Sequence, residues 1–119
     1  MDDAMSRINK LTADDYAGAF EQIREHMPES DLLLLSSHLQ APNHDVTAAQ
    51  LARLVGFARF QAANLRYGTL AGRLLEFFQI RLERRINLNI LATFEYRDDE
   101  WHWILRPEVV DALTRLTWL

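Results

Sequence analysis

The sequence predicts an α+β fold in a single domain spanning residues 1–119, and three observations carry that expectation. Apolar residues recur at spacings of three and four through the first two thirds of the chain. Between residues 88 and 105 they alternate instead. Pro107 then opens a last segment whose apolar residues return to helical spacing. Helices are therefore expected across 12–79, an antiparallel β-hairpin across 88–105 and a C-terminal helix across 107–116. At 119 residues, 49% hydrophobic and 25% charged, the chain suits one soluble domain with one sizeable core.

In the first helix, "LTADDYAGAFEQIREHMP", Thr12 is the N-cap, Asp14 and Asp15 favour the first turn, and Pro28 ends the segment. Tyr16, Phe20, Ile23 and Met27 mark its buried face. A second helix, about 30–40, carries the "LLLL" run and stops before Pro42. "APNHD" reads as a loop, after which Thr47 caps a third helix, "AAQLARLV", ended by Gly56. The fourth helix is expected from 58 to 78. Gly68 and Gly72 lie inside it, each costing about 1 kcal/mol relative to Ala. Two explanations stand open: a face approached closely by another element, or a break at Gly68 with Thr69 capping a new helix. One long helix, with or without a bend, is the preferred form.

After the basic "IRLERR", the strand "LNILATFEY" sets Ile90, Ala92, Phe94 and Tyr96 on one face. "RDDE" is the turn. "EWHWIL" returns with Trp101, Trp103 and Leu105 together and His102 and Ile104 opposite. Pro107 suits the first position of the last helix, whose apolar side is Val109, Val110, Leu113 and Leu116.

Charge is unevenly placed. Residues 1–46 hold nine acids and three bases, 47–85 hold seven arginines against Glu76 and Glu83, and 86–119 hold six acids and three bases, within a net charge of −4. A basic centre between acidic ends suits a polyanion-binding face, or a surface that pairs with its own flanks. No apolar run approaches the roughly 20 residues of a membrane span, and the N-terminus lacks the basic and apolar pattern of a secretory signal. A cytoplasmic protein without membrane contact is expected. The absence of cysteine excludes disulfides, thiol catalysis and zinc-thiolate sites.

No catalytic, metal or cofactor motif is present: His26, His38, His44 and His102 lie in separate elements, with no HExxH, GxSxG or phosphate-cradling loop. A non-enzymatic protein with no cofactor is expected. His102 reads as an exposed strand residue. "QLARLVGFARFQAANLRY" has the spacing of a helix-turn-helix, with Ala52 four residues before Gly56 and with Leu51, Val55, Ala62 and Leu65 facing inward. Its second helix would then offer Arg59, Gln61 and Asn64 to base edges and Arg66 and Arg73 to phosphates. The alternative is that these arginines form a solvated face and meet acids of the N-terminal third.

Two protein-partner readings accompany DNA. Trp101, Trp103 and Trp118 would build an aromatic surface, or the acids Asp2, Asp3, Asp14, Asp15, Glu21, Glu25, Glu29 and Asp31 would face a basic partner. A homodimer is a further form.

Thr47, Leu51, Ala52 and Gly56, then Ala62, Asn64, Tyr67, Gly68 and Leu70, then Trp101 or Trp103 with Arg106, Pro107, Glu108, Ala112 and Leu113, form a pattern. Over roughly residues 40–119 it resembles a small bacterial helix-turn-helix-like domain found N-terminal to HNH-type restriction nucleases. The nuclease part and its metal-binding histidines are absent from this sequence. The resemblance implies a recognition or adaptor module associated with bacterial or phage defence, and no cleavage; the alternative function is a protein-interaction module, including a small phage-type inhibitor of a host defence complex.

Overall fold

Thr12 and Thr47 each close a reciprocal capping box, with Asp15 and Gln50 respectively, and so place two helix starts where the local sequence puts them. The computed structural model describes residues 3–119. Its order is α1 (Ala4–Asn9), α2 (Ala13–Ile23), α3 (Glu29–Gln40), β1 (Asp45–Thr47), α4 (Ala48–Val55), α5 (Phe60–Phe78), β2 (Ala92–Arg97), β3 (Glu100–Leu105) and α6 (Pro107–Arg115), with 3-10 turns at Arg24–His26, Pro42–His44 and Arg84–Ile90. The fold is α+β and rich in helix. No helix among the described residues is long and apolar enough to cross a membrane.

One antiparallel sheet, in the order β1-β3-β2, packs against the helices. Tyr16, Phe20, Leu34, Leu51, Tyr67, Leu70, Leu74, Val109 and Leu113 belong to one buried core. The residues expected on the apolar faces of α2 and α6 are buried in all but one case: Tyr16, Phe20, Ile23 and, just beyond the 3-10 turn that follows α2, Met27 are buried, as are Val109, Leu113 and Leu116, while Val110 is only partly buried.

Four local expectations need correction. Helix α1 was not anticipated; Ile8 anchors it in the core, and Arg7 donates to the Phe78 and Gln79 carbonyls at 3.0 and 2.9 Å, capping the C-terminal end of α5. Strand β1 lies where a loop and a cap were read, because its three residues acquire strand geometry only from pairing with His102–Ile104 of β3. The hairpin starts at Ala92 rather than 88. The residues before it form a 3-10 turn in which Asn87 and Asn89 donate to the Gly68 and Ile86 carbonyls, side-chain bonds that compete with a strand ladder. The fourth helix starts at Phe60, not 58, and runs unbroken through Gly68 and Gly72. Neither glycine is required by lack of space for a side chain: a methyl at Gly68 would meet Asn87 Oδ1 at an ordinary 3.9 Å, and one at Gly72 would meet nothing within 4 Å.

Gly56 ends α4 in the left-handed region at φ 81°, and the Phe57 amide reaches back to the Ala52 carbonyl at 2.8 Å. Gly56 to Arg59 then form a four-residue turn into α5. The hairpin turns through Asp98 and Asp99, both with positive φ, between the paired Arg97 and Glu100, the geometry of a two-residue primed turn.

Candidate functional site

Helix α5 is held from inside by a buried polar chain. Nε2–H of His38 donates to the Trp103 carbonyl at 2.9 Å, which leaves Nδ1 to accept the Tyr67 hydroxyl at 2.8 Å. The chain joins α3, α5 and β3. Burial is the main cause that lowers the His38 pKa to about 4, and it pushes the Tyr67 hydroxyl well above its ordinary value.

The inward face of α5 is Ala63, Tyr67, Leu70, Ala71 and Leu74. This corrects the expected face: Ala62 is only partly buried, and Leu65 is 61% exposed. The register differs by one or two residues, and each residue is a rotation of about 100° around a helix.

That rotation redistributes the five residues expected at a nucleic-acid interface. Arg66 and Arg73 turn towards α3 and bind the two oxygens of the fully buried Asp31 at 3.2 and 3.3 Å. Both are therefore tied to one carboxylate of the acidic N-terminal third, which offsets one of their two positive charges. Burial raises the Asp31 pKa against the opposing pull of both arginines. Arg59 is exposed but precedes the helix, in extended backbone, so it shares no helical stripe with Arg66 and Arg73. Gln61 and Asn64 are exposed on the outer side.

On that outer side, Gln61, Leu65, Gly68, Gly72 and Glu76 follow one another at spacings of three and four. They form one wall of a cleft of about 880 Å³ whose other wall carries Arg81, Arg84 and Arg85. Asn64 also lines it. The three arginines are the residues that sequence spacing missed, although the basic "IRLERR" run contains them. Arg85 pairs with Glu83 at 2.7 Å on the open surface, a contact of little strength.

A second cleft, of about 610 Å³, opens beside the first between the start of α5, the Arg84–Ile90 turn and the hairpin. Asn64, Arg85 and Leu88 line both. Trp101 and Phe60 stand at it, and Trp103 and Phe94 lie deeper.

The remaining candidates have internal roles. His102 is partly buried, not exposed as expected, and meets Asp45 Oδ1 at 2.9 Å while Arg97 binds Oδ2. Burial alone would raise the Asp45 carboxyl; the bonds from Arg97 and His102 hold it below its usual range. The tryptophans form no common surface: Trp103 is buried, Trp101 stacks edge-on with Tyr96, and Trp118 donates to Glu21 under the Arg24 guanidinium. The acidic third is largely engaged as well. Asp3 and Asp15 cap helices, Asp14 binds Arg115, Glu25 lies 3.5 Å from His26, and Asp31 holds two arginines. Glu29 is exposed in the first turn of α3, and Asp2 lies outside the described residues.

No family model, curated protein or solved structure matches this chain.

Proposed function

We propose that this protein is a non-enzymatic recognition module that binds nucleic acid along the outer side of α5. The observation that carries the reading is the sharing of one cleft by Gln61 and Asn64, side chains able to read base edges, with Arg81, Arg84 and Arg85, able to neutralise phosphate. Supporting it is the order helix, strand, helix, four-residue turn, helix, hairpin, with the sheet order β1-β3-β2. A hairpin that follows such a helix pair can act as a wing against the backbone. Its tip, Asp98, Asp99 and Glu100, repels phosphate, which leaves backbone contact to the segment around residues 81–85.

Fluorescence anisotropy with duplex DNA tests this. Three phosphate contacts give a logarithmic salt slope near −2.7, about a 40-fold loss of affinity between about 50 and 200 mM salt. Arg81→Ala with Arg84→Ala lowers the slope by about two. No binding at low salt, or a slope indifferent to that pair, rejects the proposal.

A protein partner, or a second copy of the chain, is the second reading. Leu54 and Leu65 favour it, since both are large, apolar and mostly exposed. A monomeric mass by light scattering removes the second-copy form. The defence association stands on the sequence resemblance alone, and phage plating on cells expressing the protein tests it.

A further inference from the structure

Resting on the nucleic-acid reading, we propose that the smaller cleft receives one unpaired nucleobase while the backbone follows the arginines of the larger one. The hairpin carries an aromatic ladder on one face, Phe94 opposite Trp103 and Tyr96 opposite Trp101. Its inner pair enters the protein. Its outer pair does not: Trp101 is 58% and Tyr96 59% exposed. Phe60, 49% exposed, borders the same space as Trp101. Two exposed aromatic side chains beside an apolar floor of Leu88, Phe94 and Trp103 make a stacking platform, and stacking accepts any base because every base has a π-face.

The polar groups in the cleft suit a base better than a phosphate. Asn64 makes no side-chain hydrogen bond among the described residues, so its carboxamide is available as donor and acceptor. Asn89 uses its amide on the Ile86 carbonyl and keeps Oδ1 as an acceptor. Glu100 adds a carboxylate, which repels phosphate and accepts from an exocyclic amine. The volume, about 610 Å³, lies within the range of small-ligand clefts. Asn64 and Arg85 line both clefts, so a strand lying along Arg81, Arg84 and Arg85 has a direct path for one base to turn in. A base stacked inside a duplex cannot reach this floor. The ligand is therefore a base already single-stranded, or one extruded from a duplex.

The test compares a labelled oligothymidine strand with the same strand made abasic, and a fully paired duplex with one containing a single bulged nucleotide. The wild-type protein is expected to bind the base-bearing strand about 5- to 150-fold more tightly than the abasic one, the range of one stacking contact. Trp101→Ala and Phe60→Ala each erase most of that difference; both positions are exposed, and thermal melts confirm that the variants fold. A preference for the bulged duplex that Trp101→Ala removes assigns the base to an extruded nucleotide. A preference confined to the strands assigns it to single-stranded nucleic acid. Equal binding of the base-bearing and abasic strands overturns the inference, leaves the cleft to a protein side chain, and spares the proposed function if both strands keep their salt dependence. Binding to none of the probes at low salt overturns both.

Discussion

Arg66 reaches Asp31 Oδ1 at 3.2 Å across 35 residues of sequence, and Arg73 takes the other oxygen of the same buried carboxylate. The two arginine side chains are about two-thirds buried, and Arg66 Nε, itself buried, has no hydrogen-bond partner. Removing both arginines leaves a buried carboxylate with nothing to neutralise it, which costs about 3–5 kcal/mol. Arg66→Ala with Arg73→Ala should therefore lower the urea midpoint strongly while leaving nucleic-acid affinity, measured where the variant stays folded, within a factor of two or so. Arg81→Ala with Arg84→Ala should do the reverse, with stability changed by about 0.5 kcal/mol or less and affinity lost. Affinity lost through the first pair would return the interface to the α3 side of α5.

Gly72 should show a conflict between stability and binding. A methyl there meets nothing within 4 Å, and exchanging an interior helical glycine for alanine gains about 1 kcal/mol. Gly72→Ala should raise the melting temperature by a few degrees. The same methyl stands in the arginine-lined cleft, so affinity for nucleic acid should fall. Unchanged affinity would mean that the ligand does not follow this stripe.

His38 makes stability depend on acid. The unfolded histidine titrates near 6.5, whereas the folded one, held neutral by burial, titrates at about 4. Between those values the unfolded state binds a proton that the folded state refuses. The stabilisation is thus complete above pH 6.5 and lost as pH falls towards 4, reaching about 3 kcal/mol. Urea melts at pH 7.5, 6 and 4.5 should follow that decline. Tyr67→Phe, which leaves Nδ1 of His38 without its donor, should cost about 1–3 kcal/mol at neutral pH.

Gly56→Ala isolates backbone strain, because an added Cβ has open space around it while φ stays at 81°. The loss should be about 1–2 kcal/mol, seen as a lower denaturant midpoint with an unchanged slope.

The elements read correctly from sequence are those set by near neighbours. Thr12 and Thr47 close capping boxes within three residues, and Pro107 opens α6. The ladder of Phe94, Tyr96, Trp101 and Trp103 follows from alternation across a short turn. The facing of α5 was harder because Phe60, Leu65 and Phe77 are exposed along it, leaving apolar residues on both sides of the helix. Apolar residues on both sides of a helix do not single out one inward stripe. Of the five residues expected at the interface, Gln61 and Asn64 lie in the larger cleft, Arg59 stands outside the helix, and Arg66 and Arg73 belong to Asp31.

By itself the sequence determined the starts of α2, α4 and α6, the glycine turn, the alternation across the hairpin turn and the concentration of arginine in the middle of the chain, because each depends on bonds or periodicities spanning a few residues. Tertiary structure alone decided which arginines remain available. That choice depends on a carboxylate 35 and 42 residues away being buried against α5, and on the Arg84–Ile90 turn folding back until Asn87 reaches the Gly68 carbonyl. Contacts of that range leave no local periodicity, since the partners meet only after the core has packed.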